Sequence, residues 1–152
     1  MYRQKENIKL LFIYTNKENY MNKILVLSHG TISEGIKTAL RVITSEEDAV
    51  DTMCIMEDTP PEKVRDDLRQ YLDNCDADKP VFIVTDIPFG STTTLSAPFI
   101  GENKNLYIIS GMNLGMMMAM VTQDLNDDTE NKIKQIIEEC KQTIIYVNDF
   151  MK

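Results

Sequence analysis

Short apolar runs alternate with segments of helical period along this chain, and the alternation restricts it to very few folds. The first run, 24–27 (Ile-Leu-Val-Leu), is short, partly β-branched and apolar throughout, as expected of a strand covered on both faces. Ser28-His29-Gly30 turns the chain, and a helical pattern follows with apolar residues at Ile32, Ile36, Ala39, Leu40 and Ile43. Thr31 has Glu34 three residues on, the spacing of a capping box at a helix N-terminus. The spacing predicts an amphipathic helix over 31–43.

The pattern then repeats. Residues 50–56 read as a second strand, and Pro60-Pro61 begins a helix whose buried face is Val64, Leu68, Tyr71 and Leu72, proline being acceptable in a first helical turn. A third strand over 80–85 delivers Asp86-Ile87-Pro88-Phe89-Gly90-Ser91 and a short helix near 92–100. A fourth strand over 105–110 leads through Gly111-Met112-Asn113 into a methionine-rich helix over 114–121, and a final helix lies near 130–142. This order predicts a mostly parallel, doubly wound α/β sheet of four strands with right-handed crossovers and helices on both faces. Ile144-Ile145-Tyr146-Val147 stands apart from the alternation as a strand that is antiparallel or pairs with another subunit.

Residues 21–152 read as a single domain, without internal repeat or linker. Residues 1–20 fit it poorly: Leu10-Leu11-Phe12-Ile13 resembles a signal-peptide core but is too short and lacks a cleavage site. Met21 begins Met-Asn-Lys-Ile-Leu-Val, a natural start for a chain whose first element is a strand, and Lys17-Glu18 can be encoded by a purine-rich ribosome-binding sequence. The first 20 residues are therefore expected to be upstream leader; if ordered, 10–14 would add a strand or packing arm.

A net charge of -8 argues against a nucleic-acid binder, since no basic surplus exists to displace phosphate counterions. Such a surface suits a partner with a basic patch. Cys54, Cys75 and Cys140 are odd in number and form no CxxC, so neither a disulfide framework nor a metal site is expected, and reduced cytoplasmic thiols are. No apolar run approaches the roughly 20 residues that span a bilayer. The methionines at 112, 116, 117, 118 and 120 read as core or dimer contact rather than a soft-metal site.

Three strand ends meet at one edge of such a sheet: Ser28-His29-Gly30, 86–91 and 110–113. Ligands and chemistry collect at that edge in open α/β folds. His29 is the one histidine of the chain. A carboxylate on one ring nitrogen, here from Asp86, fixes the tautomer and leaves the other nitrogen nucleophilic. Gly90, Ser91 and the hydroxyls of Thr92, Thr93 and Thr94 could bind a phosphoryl group. Asp86 reads equally well as a turn or helix cap, and the hydroxyls as an ordinary helix start.

Strand-Ser-His-Gly-helix, strand-Asp-x-x-x-Gly-Ser-helix and strand-Ser-Gly-Met-Asn-Leu-helix, taken together over about residues 21–125, resemble the mannose-class EIIA component of the bacterial phosphotransferase system. The resemblance implies a cytoplasmic phosphoryl carrier without cofactor or metal, taking phosphate from HPr and passing it to an EIIB subunit during sugar uptake. It would touch the membrane only indirectly, through the EIIC/EIID transporter that chooses the sugar. His29 matches the phosphorylated histidine, Asp86 the residue that orients it, and Ser91 the phosphoryl-binding serine; Gly30, Gly90 and Thr92 fall beside them, and Asn113 falls at the site border. The resemblance also implies a homodimer with an exchanged C-terminal strand, for which 144–147 is the candidate. Phe89-Gly90-Ser91-Thr92-Thr93-Thr94 stands where the family commonly has Gly-Gly-Ser-Pro-x-Asn, so Phe89 is expected to reshape the partner surface. Two other readings share the fold: a phosphohistidine subunit feeding dihydroxyacetone kinase, and a regulatory module that does not transfer phosphate.

Overall fold

The computed structural model describes residues 22–45 and 47–151. The expected leader and the arm at 10–14 lie outside the described residues. Among these, four strands alternate with helices: β1 (Lys23–His29), α1 (Ile32–Thr44), β2 (Val50–Ile55), α2 (Pro61–Asp73), β3 (Val81–Thr85), α3 (Ser91–Ser96), β4 (Leu106–Ser110), α4 (Leu114–Thr122) and α5 (Thr129–Lys141). The sheet is parallel throughout, in the order β2-β1-β3-β4. Each element lies within a few residues of its expected place.

Position in the sheet accounts for the composition of each strand. β1 and β3 each have a strand on either side and helices above and below, and all five residues of β3 are buried. The edge strands β2 and β4 are only partly buried. Side chains alternate across the sheet. Ile24, Val26, Phe82 and Val84 point to one core together with Leu40, Met117, Met120 and Ile136. Leu25, Leu27, Val81 and Ile83 point to the other with Val64, Leu68, Leu95 and Phe99. Full burial of such a side chain contributes about 1.5–3 kcal/mol, so both layers are needed to hold the central strands. The methionines of α4 are core: Met116, Met117 and Met120 are buried, and Met118, with Met112 from the preceding loop, packs against the same cluster.

One local expectation is corrected. Thr31 does precede α1, but its backbone (φ -99, ψ 20) is not extended and its side chain caps nothing. A capping box needs an extended N-cap residue. The Ser28 hydroxyl instead folds back from the end of β1 and accepts the Ser33 amide at 2.8 Å, while Glu34 accepts from Thr52 on β2. The strand expected at 144–147 does not join this sheet as an antiparallel edge. Residues 144–146 carry no regular structure and Val147–Phe150 is a 3-10 turn. A strand requires a neighbouring ladder, and no pairing to this sheet reaches the segment. Ile144, Ile145, Tyr146, Val147, Phe150 and Met151 are all exposed. None of the described helices is long and apolar enough to cross a membrane.

The start of β1 is tied to the far end of α4 through one side chain. Buried Asn22 donates to the Met120 carbonyl at 2.8 Å and the Gln123 carbonyl at 2.6 Å, and accepts from the Leu125 amide at 3.0 Å. Removing it leaves buried backbone groups without partners, each costing about 1–3 kcal/mol. Asn22→Ala is expected to lower stability by about 2–4 kcal/mol in urea denaturation.

Candidate functional site

The chain runs from β1 outward to β2, then crosses back past β1 to β3. β1 and β3 are therefore adjacent strands whose following loops leave in opposite directions, which opens a crevice at their carboxyl ends. His29 ends β1, and Asp86 is the first residue after β3. Strand alternation puts His29 on the same side of the sheet as Leu25 and Leu27, the side covered by α2 and α3. Ser28 goes to the other side and caps α1.

Asp86 is the centre of the hydrogen bonding. Its Oδ2 accepts from the His29 amide at 2.8 Å and lies 2.9 Å from His29 Nδ1. Its Oδ1 accepts from the Ile87 amide and from Thr92 Oγ1, both at 3.0 Å. Burial alone would push this carboxyl up, but the bonds from the His29 amide, the His29 ring and Thr92 outweigh it. Asp86 is held below the ordinary carboxylate range. An ionised carboxylate can only accept, so Nδ1 carries the ring proton. The lone pair of Nε2 is then directed at Ser91, whose Oγ is 2.8 Å away and donates to it. The side chain of Asp86 is 11% exposed and that of His29 43%, so the ring is gripped from below and open above.

The turn after β3 is shaped to that ring. A Cβ on Gly90 would stand 2.7 Å from Ile87 Cγ2 and 3.2 Å from His29 Cε1, so only glycine lets the backbone pass this close. Phe89, just before it, adopts φ 64 and is 93% exposed. A left-handed backbone costs a residue with a Cβ about 1–2 kcal/mol. Behind the site, Thr85, Thr93 and Ser110 form a triangle of hydroxyls with Oγ–Oγ distances of 2.7, 2.7 and 3.1 Å, and Thr93 also donates to the Ile87 carbonyl. This triangle joins β3, β4 and α3, and so fixes where Ser91 begins its helix.

Of the residues expected to act, His29, Asp86, Gly90 and Ser91 come together directly. Thr92 and Gly30 are present, but their donors are committed elsewhere. Thr92 is buried and bonds Asp86, so it orients the carboxylate instead of facing the cleft. The Gly30 amide donates to the Ile55 carbonyl at 2.8 Å, and Gly30 supplies a turn at φ 54. Asn113 caps α4, accepting the Met116 amide at 2.9 Å, and among the described residues no hydrogen bond joins it to His29.

The sequence reading overlooked the end of β2. His29 pairs in register with Ile55, so the following loop also borders the site. A cleft of about 420 Å³ is lined by His29, Gly30, Ile55, Met56, Glu57, Thr59, Pro61, Ser91 and Leu95. Counting all four strand ends, not three, would have found this wall. A larger groove of about 630 Å³ lies at the amino ends of β3 and β4, far from the His29 set.

The Asp86 geometry carries a pH signature. A carboxyl depressed on folding contributes stability that is full above its unfolded value of about 3.9 and is lost as pH falls through its folded value. Asp86→Asn should cost about 2 kcal/mol near neutral pH, and the difference from wild type should shrink as pH falls below about 4. Denaturant titrations of both proteins across that range measure it.

Comparison with known proteins identifies the family and bears out the fold. The model of the EIIA-man family, described as PTS system fructose IIA component, matches residues 23–137. Among solved structures, a phosphotransferase system EIIA component from Streptococcus agalactiae superposes with a TM-score of 0.74 at 21% identity, covering 84% of this chain and 98% of that one. A mannose/sorbose-specific IIA subunit from Enterococcus faecalis superposes with a TM-score of 0.75 at 14% identity, covering 82% and 93%. A sigma-54 interaction domain protein from Enterococcus faecalis gives 0.68 at 12% identity, covering 80% and 91%. At these identities the superpositions establish the fold, and the match over 23–137 establishes the family: the chain belongs to the EIIA-man family of PTS IIA components.

Proposed function

We propose that the protein is a phosphoryl carrier of a sugar phosphotransferase system, loaded on His29 by phospho-HPr and unloaded to an EIIB subunit. The observation that carries this reading is the locked imidazole. Nδ1 is tied to a carboxylate held ionised, which leaves Nε2 with its lone pair at the open face of the ring. Family membership supports a phosphotransferase role in the broad sense.

The step balances without a cofactor. The Nε2 lone pair attacks phosphorus in line, a bond forms between Nε2 and phosphorus, and the phosphorus–nitrogen bond of the donor histidine breaks. The donor ring takes back its electron pair. His29 keeps its proton on Nδ1, and the positive charge that develops on its ring is balanced by Asp86 at 2.9 Å. Ser91 must release Nε2 as the new bond forms, and its hydroxyl can then donate to a phosphoryl oxygen. Transfer to EIIB reverses the sequence. Such chemistry depends on positioning and charge stabilisation more than on proton transfer.

The exposed apolar segment 144–151 supports a homodimer in which this segment pairs with a second copy, as the family resemblance implies. The reading places the protein in the cytoplasm, reaching the membrane only through its EIIC/EIID transporter.

Incubation with phosphoenolpyruvate, enzyme I and HPr is expected to give acid-labile, base-stable phosphate on the wild type and none on His29→Ala. Absence of label on the wild type would sink the carrier reading. Ser91→Ala should still accept phosphate, about 100-fold more slowly, having lost one donor to the transferring group. Light scattering should give a dimer mass, and a monomer would refute the proposed pairing.

A further inference from the structure

Phe89 is badly placed for an isolated protein. Its ring is 93% exposed, more than any other large apolar side chain among the described residues. Its backbone is held at φ 64, where a Cβ is disfavoured. Glycine would remove both penalties, so the free chain gains nothing from this aromatic. Any advantage must arise in a complex.

Location says which complex. Phe89 precedes Gly90, which lies against the His29 ring, and stands two residues before Ser91, which bonds Nε2. Successive Cα atoms are about 3.8 Å apart, so Phe89 begins within about 10 Å of the reacting nitrogen. A specific interface covers about 800 Å² on each partner, a disc of about 16 Å radius. Any protein that brings a phosphoryl group to Nε2 therefore covers Phe89. Exposed Ile87 and Met56 continue the apolar surface on either side of the site, and Glu57 in the cleft wall, followed by Asp58, gives it an acidic border. Aromatic anchors near the centre of an interface carry a disproportionate share of binding energy, and charged borders steer association.

We propose that Phe89 is the docking anchor for the phosphoryl-donor protein, seating in an apolar socket beside the donor's phosphohistidine while cationic residues of the donor face Glu57 and Asp58. The donor is the partner in question because it must carry an anionic phosphoryl group past Glu57 and Asp58, and cationic residues beside its phosphohistidine offset that repulsion. The proposal rests on the phosphoryl-carrier reading above.

The test is the initial rate of phosphorylation against phospho-HPr concentration for wild type, Phe89→Gly and Phe89→Leu. Phe89→Gly should raise KM about tenfold or more, with kcat changed by less than about threefold. Its melting temperature should equal or exceed that of the wild type, because the left-handed strain is relieved. Phe89→Leu should recover part of the affinity. A second variant, Glu57→Gln with Asp58→Asn, should raise KM and flatten its dependence on ionic strength. A labelled wild type with an unchanged KM in Phe89→Gly would overturn the anchor and leave the carrier reading standing. A wild type that takes no phosphate would overturn both.

Discussion

One carboxylate joins the parts of this site that come from separate stretches of chain. Asp86 receives the His29 amide and ring on one oxygen, and the Ile87 amide and Thr92 hydroxyl on the other. It thereby binds the end of β1 to the turn after β3 and to the first turn of α3. The ring orientation, the protonated nitrogen and the direction of the free lone pair all follow from that anchoring. Without an ionised acceptor at this point, His29 would be an exposed imidazole free to take either tautomer. The parallel pairing of β1 with β3 is what brings two residues so far apart in sequence to the same place.

The arrangement of strands and helices was legible because each layer has its own period. Central strands buried on two faces read as unbroken apolar runs, and Val81–Thr85 does so. Helices covering one face read as stripes, as in Val64, Leu68 and Leu72. His29, Asp86 and Ser91 were legible because strand ends can be located from those runs, and the resemblance reinforced them. What escaped were choices made in three dimensions. Thr31 and Ser28 are both hydroxyl residues before α1, and only the backbone angles decide which one caps it. Thr92 and Ser91 are neighbours, yet one turns inward to Asp86 and the other outward to the ring. The fate of 144–147 was illegible for another reason: a β-forming composition does not specify the strand it is to pair with.

The turn that carries Phe89 is where this chain departs from the pattern that the family resemblance implies. Gly90 keeps the close approach to the ring, so the departure leaves the geometry under His29 intact and alters what lies above it. On the proposed reading, phosphoryl transfer and partner recognition are separated by a single peptide unit. Positions that look alike in a motif answer to different constraints, one steric and local, the other set by whatever approaches from outside.

The saturation of Asp86 also bears on how long an energy-rich bond could last in an open site. A carboxylate has about four lone-pair directions, and here four donors occupy its two oxygens. None is left to strip a proton from water, although Asp86 is the acid gripping the ring. A phosphoryl group on Nε2 would therefore be wetted by solvent without being attacked by a base-activated water from this residue. The half-life of such a charged carrier would then owe nothing to base-catalysed leakage through Asp86.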